Sequence, residues 1–210
     1  MRRTRVKICG MREAEQVEQL VDFGVDAIGM IFYESSPREI TLDQAKLIRR
    51  AVPAFVNLVG VFVNTDSDEI NAIADNVGLD LIQLHGDQSI DFANQLSRPY
   101  IKVIRVKNQK IVNQERQIHN KAQGYLLDTF SDSAYGGTGD RIENELLSLP
   151  LQKNTILAGG INTDNIDNIL ALNPYAVDIN SGVEIAPGDK DVKKIELIMN
   201  KISKFDQECC

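Results

Sequence analysis

Eight short apolar runs punctuate this chain, and the hydrophobic spacing changes between them. The runs are VKICG, DAIGMIF, VNLVGVFV, LDLIQLHG, YIKVIRV, GYLLDT, NTILAGG and AVDINSG. They are continuous rather than alternating, which is what strands covered on both faces require, as in a parallel sheet. The intervening stretches carry the helical period. Ala14, Val17, Leu20 and Val21 recur among glutamates and glutamines. Thr41 with Gln44 three residues on has the form of a capping box, ahead of Leu42, Ala45, Ile48 and Val52. Asp66 and Glu69 repeat that start before Ile70, Ile73 and Val77, and Gly78 is a natural stop. Val192, Ile195, Ile198 and Ile202 form a stripe behind Asp189. A polar helix is expected near residues 108–123 and a short one near 140–149.

The strands recur at intervals of roughly 20 to 30 residues, a strand plus a returning helix. Eight such units predict an α/β protein, a closed (β/α)8 TIM barrel, in preference to a doubly wound open sheet. No linker interrupts them, so one domain is expected over residues 1–205, with a disordered tail at 206–210. The 210 residues, 43% hydrophobic and 25% charged, suit a globular chain with a core.

The net charge of −7 argues against nucleic acid or an anionic membrane as a partner, while leaving room for a local positive pocket. No apolar run reaches the ~18 residues of a membrane-spanning helix. The basic start, MRRTRVKICG, lacks the apolar stretch of a signal peptide. Cys9, Cys209 and Cys210 do not make a disulfide framework, so a reduced, cytoplasmic setting is expected. With histidines at 85 and 119 and no His/Cys cluster, no zinc site is expected. There is no P-loop and no G-x-S-x-G elbow.

In such a barrel the strand C-terminal ends carry the chemistry. The first strand ends Cys9-Gly10, and alternation puts Lys7 and Cys9 on one face. Cys9 is either a small core residue or a base whose thiol pKa Lys7 lowers. The loop FYESSPREIT after the second strand holds Arg38, either solvated or a bidentate partner for a carboxylate. The fourth strand places Gln83 and His85 on one face, and His85 could titrate or pack. Asp128 ends the sixth. Buried after two leucines it would hold a proton near neutral pH, or else it caps a loop. Gly159-Gly160 and Ser181-Gly182 end strands seven and eight, where barrels often bind phosphate through backbone N–H groups.

Taken in order, KICG, FYESSPR, VGVFVN, LIQLHG, LLDT, YGGTG, LAGGIN and VDINSGVE resemble the phosphoribosylanthranilate isomerase family of tryptophan biosynthesis. The resemblance runs from Val6 to about Gly188. It implies an Amadori rearrangement of a phosphoribosyl amine with no metal or other cofactor, by a monomer or homodimer acting on a small molecule. It implies Cys9 as general base and Asp128 as general acid. Arg38 would hold the anthranilate carboxylate, and Gly159, Gly160, Ser181 and Gly182 the phosphate, with Gln83 and His85 lining the pocket. The chain departs from the family pattern at Glu34 and Glu39, which flank Arg38, at Ile142, Glu143 and Asn144, and at Asn180. Two alternatives stay open. One is a paralogue acting on another phosphoribosyl amine; the histidine-pathway isomerase, expected to use two aspartates, is the relative in chemistry. The other is a sugar-phosphate-binding barrel without turnover.

Overall fold

The computed structural model describes residues 3–129 and 151–208. Eight parallel strands close on themselves in chain order. They are β1 (Arg5–Ile8), β2 (Ala27–Phe32), β3 (Asn57–Phe62), β4 (Leu81–Leu84), β5 (Tyr100–Val106), β6 (Gly124–Thr129), β7 (Thr155–Ala158) and β8 (Ala176–Ile179). Each coincides with one of the eight apolar runs. Closure is the β1–β8 pairing, in which Lys7 lies opposite Asp178 and Ile8 opposite Ile179.

Because strand side chains alternate, the runs feed two cores. Val6, Ile8, Ile28, Leu58, Ile82, Ile104, Leu127, Leu157 and Val177 face outward and meet the helices. Val59, Ile101, Val103, Leu126, Ile156, Ala158 and Ala176 fill the barrel interior. Arg5 lies over the Tyr175 ring, 4.4 Å from its centroid, at the opposite end of the strands from the mouth.

The helices are α1 (Ala14–Asp22), α2 (Leu42–Ala51), α3 (Ser67–Val77), α4 (Ile90–Ala93), α5 (Gln109–Ile118), α6 (Ile166–Ala171) and α7 (Val192–Glu208). The capping box at α2 forms in both directions. Gln44 N donates to Thr41 Oγ1 at 3.3 Å, and Thr41 N donates to Gln44 Oε1 at 3.0 Å. Asp66 caps α3 through Glu69 N at 2.9 Å, and Gly78 ends it at φ +77°. Two details differ from the sequence pattern. Leu42 is exposed, and Val52 has already left the helix with extended backbone, so Ala45 and Ile48 are the buried stripe of α2.

The last helix also differs. Asp189 belongs to a small antiparallel hairpin, β9 (Glu184–Ala186) with β10 (Asp189–Lys190), which the sequence pattern did not suggest. Asp191 caps α7 instead, accepting from Lys193 N at 3.0 Å and Lys194 N at 3.3 Å. The helix continues to Glu208. Asp206 accepts from both the backbone N (2.9 Å) and the hydroxyl (2.8 Å) of Thr4, which ties residues 206–208 to the barrel rather than leaving them as a tail. The short helix expected near 140–149, with Ile142, Glu143 and Asn144, lies outside the described residues. No helix among the described residues is long and apolar enough to cross a membrane.

Candidate functional site

The first strand ends as its sequence suggests. Cys9 is buried, and its N donates to Ile179 O at 2.9 Å, extending the β1–β8 ladder by one residue. Gly10 then turns the chain at φ +74°. A Cβ at Gly10 would lie 2.8 Å from Asn180 Oδ1 and 2.9 Å from Arg38 Cδ, so glycine is what lets those two side chains close in behind the cysteine.

Lys7 stands one layer deeper. Its Nζ donates to Asp178 Oδ1 at 2.7 Å, with both side chains under 10% exposed. Lys7 and Cys9 share one small space. A Cβ at Gly29 on β2 would sit 2.9 Å from Cys9 Sγ and 3.0 Å from Lys7 Nζ. Burial opposes the Lys7 ammonium, and the Asp178 carboxylate together with Cys9 more than offsets it, so the lysine stays charged. For Cys9, burial pushes the thiol up, Lys7 pulls it down and Asp178 pushes it up again, with a net rise. Lys7 therefore acts in the expected direction but does not win. Its charge is already matched by Asp178, and the sulfur is desolvated. In the ligand-free chain Cys9 is a thiol.

Across the mouth, His85 Nε2 lies 3.5 Å from Asp128 Oδ2. The two side chains are 30% and 29% exposed, which corrects the expectation that Asp128 is buried among apolar neighbours. The reason is depth along the strand. Leu127 faces the helices and Leu126 belongs to the interior core one layer below. Asp128 stands past that layer, where the barrel opens. Gln83 shares the inward face with His85 but lies one layer deeper, buried against the interior, so it backs the mouth rather than lining it.

Arg38 reaches the site from the loop after β2, and its partner is neither Glu34 nor Glu39, both of which are exposed. Glu184 on β9 takes it. Arg38 Nε donates to Glu184 Oε1 and Oε2 at 2.9 and 3.1 Å, and Nη2 donates to Oε2 at 2.7 Å. Glu34 and Glu39, which flank Arg38 in sequence, are thus not its ion-pair partners. Glu184 also accepts from Lys190 Nζ at 2.7 Å and Gly188 N at 3.0 Å. Burial alone would raise the Glu184 pKa, but the hydrogen bonds from Arg38 and Lys190 hold it down at about 2. Lys190, fully buried, also donates to Asn180 Oδ1 at 2.9 Å, which gives the unusual asparagine a partner. Burial lowers the Lys190 pKa despite Glu184.

Gly159 and Gly160 take φ of +97° and +67°, conformations that suit glycine. Ser181 and Gly182 begin a 3₁₀ turn, Ser181–Val183. The two loops touch: a Cβ at Gly182 would lie 1.9 Å from Ile161 O.

The mouth thus gathers Cys9, Arg38, His85, Asp128 and the two glycine loops. Sequence reasoning missed Asp178, Glu184 and Lys190. Asp178 did leave a signal, as a carboxylate embedded in an apolar strand.

The sequence profile of the N-(5'phosphoribosyl)anthranilate (PRA) isomerase family matches residues 6–201. Over 203 residues the chain is 41% identical to an N-(5'-phosphoribosyl)anthranilate isomerase of Pseudomonas savastanoi pv. phaseolicola, covering 96% of this chain and 98% of that one. The crystal structure of phosphoribosyl anthranilate isomerase from Thermotoga maritima superposes with a TM-score of 0.84 at 33% identity, covering 96% of this chain and 99% of that one. Another solved phosphoribosyl anthranilate isomerase, in complex with reduced 1-(o-carboxyphenylamino)-1-deoxyribulose 5-phosphate, gives a TM-score of 0.80 at 32% identity, with the same coverage.

Proposed function

The chain belongs to the N-(5'-phosphoribosyl)anthranilate isomerase family, and from that membership we propose that it converts phosphoribosylanthranilate to the 1-deoxyribulose 5-phosphate isomer in tryptophan biosynthesis. The reaction is an Amadori rearrangement and moves only protons and electron pairs within one molecule. Asp128 donates a proton to the furanose ring oxygen as the C1–O bond breaks, and the aryl nitrogen lone pair forms the C=N bond of a Schiff base. Cys9, as thiolate, removes the proton from C2, and the electrons pass to the nitrogen through an enolamine. Tautomerisation then gives the ketone at C2. An acid and a base on opposite sides of a small sugar meet this requirement.

The observation that carries the reading is the pairing at each side of the mouth. Cys9 on the β1 side packs against an ammonium, and Asp128 on the β6 side stands 3.5 Å from an imidazole. Cys9 must shed its proton before it acts, and the adjacent Lys7 lowers the cost of the thiolate. His85 is within relay distance of Asp128. Arg38 receives the anthranilate carboxylate. The phosphate lies between the Gly159-Gly160 loop and the turn starting at Ser181-Gly182. Because the base is a thiol that must stay reduced, the reading carries a cytoplasmic setting with it.

The test is turnover of phosphoribosylanthranilate generated in place, followed by loss of anthranilate fluorescence. The parent is expected to clear it rapidly. Cys9→Ser and Asp128→Asn are each expected to lose roughly 100- to 10,000-fold in kcat. Loss no faster than the uncatalysed background in the parent sinks the reading.

A further inference from the structure

A guanidinium offers two forks to a planar anion: the side-on edge of Nε with one Nη, and the end-on edge of Nη1 with Nη2. In Arg38 the side-on edge is fully engaged, because Nε and Nη2 both donate to Glu184. Nη1 has no partner among the described residues. The arginine stem runs close past Gly10, since Cδ lies 2.9 Å from where a Cβ there would stand, immediately after the cysteine.

Glu184 is anchored independently of the arginine. Its side chain is 5% exposed, and its Oε1 also accepts from the Lys190 ammonium and the Gly188 amide. Lys190 is anchored in turn on Asn180. Arg38, Lys190 and Glu184 together carry one net positive charge, so a single incoming carboxylate neutralises the cluster.

We propose that Glu184 is the residue that sets substrate specificity by aiming Arg38. It occupies the side-on fork and presents the end-on fork to an aryl carboxylate beside Cys9. The site would then favour arylamine glycosides bearing an ortho carboxylate over those without one. This rests on the functional reading above, in which Arg38 is the carboxylate ligand.

The alternative role for a carboxylate so placed is competition, in which Glu184 occupies the position a substrate carboxylate would take. Geometry favours aiming. Glu184 Oε1 is held by two further donors, Lys190 Nζ and Gly188 N, and the carboxylate leaves the Nη1 edge of the guanidinium open. Substrate need not displace it.

The experiment compares two substrates made by condensing ribose 5-phosphate with anthranilate or with aniline. Fluorescence follows the first and chromatography of the product the second. The measured quantity is the ratio of their kcat/KM values. Glu184→Gln is expected to cut the preference for the anthranilate compound by at least about tenfold, mainly through KM, while the aniline compound suffers far less. Arg38→Met is expected to abolish the preference. In that background Glu184→Gln is expected to change the ratio no further.

An equal fall for both substrates makes Glu184 merely structural and overturns the proposal. A tighter KM for the anthranilate compound in Glu184→Gln makes it a competitor and also overturns it. Arg38→Met with the parental preference overturns it while leaving turnover intact. A parent that turns over neither compound removes the functional reading itself, and the inference with it. Should Glu184→Gln fail to fold, Arg38→Lys carries the test, because lysine keeps the charge but has no fork. Full preference in Arg38→Lys overturns the proposal, and lost preference supports it.

Discussion

Gly182→Ala probes the place where the two glycine loops proposed to hold the phosphate meet. The added Cβ would lie 1.9 Å from Ile161 O and 2.8 Å from Asn162 Cβ. The closest of these is main chain, so rotating a side chain does not relieve the clash. Ordinary contact at 3.4 Å or more requires the loops to part by about 1.5 Å. Hydrogen bonds from backbone N–H groups to a phosphate hold only over roughly 2.7–3.2 Å, so the separation releases the phosphate from one loop. Losing one such charge-assisted bond, about 1.5–3 kcal/mol, raises KM by roughly 10- to 150-fold. Overpacking also costs about 1–3 kcal/mol of stability. That lowers Tm by roughly 2–12 °C for a chain of this size. The assays are steady-state kinetics with phosphoribosylanthranilate, competitive inhibition by inorganic phosphate, and thermal melting. KM and phosphate inhibition should weaken together, with kcat falling less. A variant with lowered Tm but KM and phosphate inhibition within about twofold of the parent would refute the placement of the phosphate between these loops.

Three further outcomes follow from the same geometry. Gly29→Ala places a methyl 2.9 Å from Cys9 Sγ and 3.0 Å from Lys7 Nζ, and Lys7 can yield only by loosening its bond to Asp178. We expect kcat to fall at least about tenfold with inorganic phosphate inhibition unchanged, and equal kcat would contradict the tight Lys7–Cys9 packing. Asp178→Asn removes the carboxylate that pushes the Cys9 thiol up, so alkylation of the Cys9 peptide, read by mass spectrometry, should begin at lower pH than in the parent. His119 is buried, and burial first, then the Lys102 charge, lowers its pKa from 6.5 to about 4. On acidification the unfolded chain takes up that proton before the folded one. The stability from the neutral imidazole is therefore complete above pH 6.5 and is lost as pH falls from 6.5 to about 4, amounting to about 3 kcal/mol at most. An imidazole signal of His119 titrating near 6.5 in the folded protein would rule this out.

The strands were legible because a buried parallel strand has to be apolar on both faces. The ends of those runs then pointed at Cys9, His85 and Asp128 without any knowledge of contacts. What the runs did not carry was depth. Two leucines before Asp128 suggest burial, yet only one of them, Leu126, faces the barrel interior, and it lies below the aspartate. Partner choice was harder still. Arg38 and Glu184 are 146 residues apart, and Glu184 stands on a hairpin that forms no part of the barrel. Glu34 and Glu39 are nearer to Arg38 in sequence, but their side chains are exposed.

The pair that fixes Cys9 was within reach. A lysine in the interior of a closed barrel needs a counter-charge, because an unpaired buried ammonium is costly. Once eight strands close in chain order, β1 has two neighbours, β2 and β8. The run AIGMIF of β2 carries no charge, and AVDI of β8 carries one, Asp178. Alternation from Asn180 at the strand end puts Asp178 on the inward face, at the level of Lys7. Barrel closure, itself read from periodicity, therefore selects the Lys7–Asp178 pair across 171 residues of sequence. Burial is the first reason that Cys9 rests as a thiol, and the pair supplies the second: the lysine beside it already has an anion.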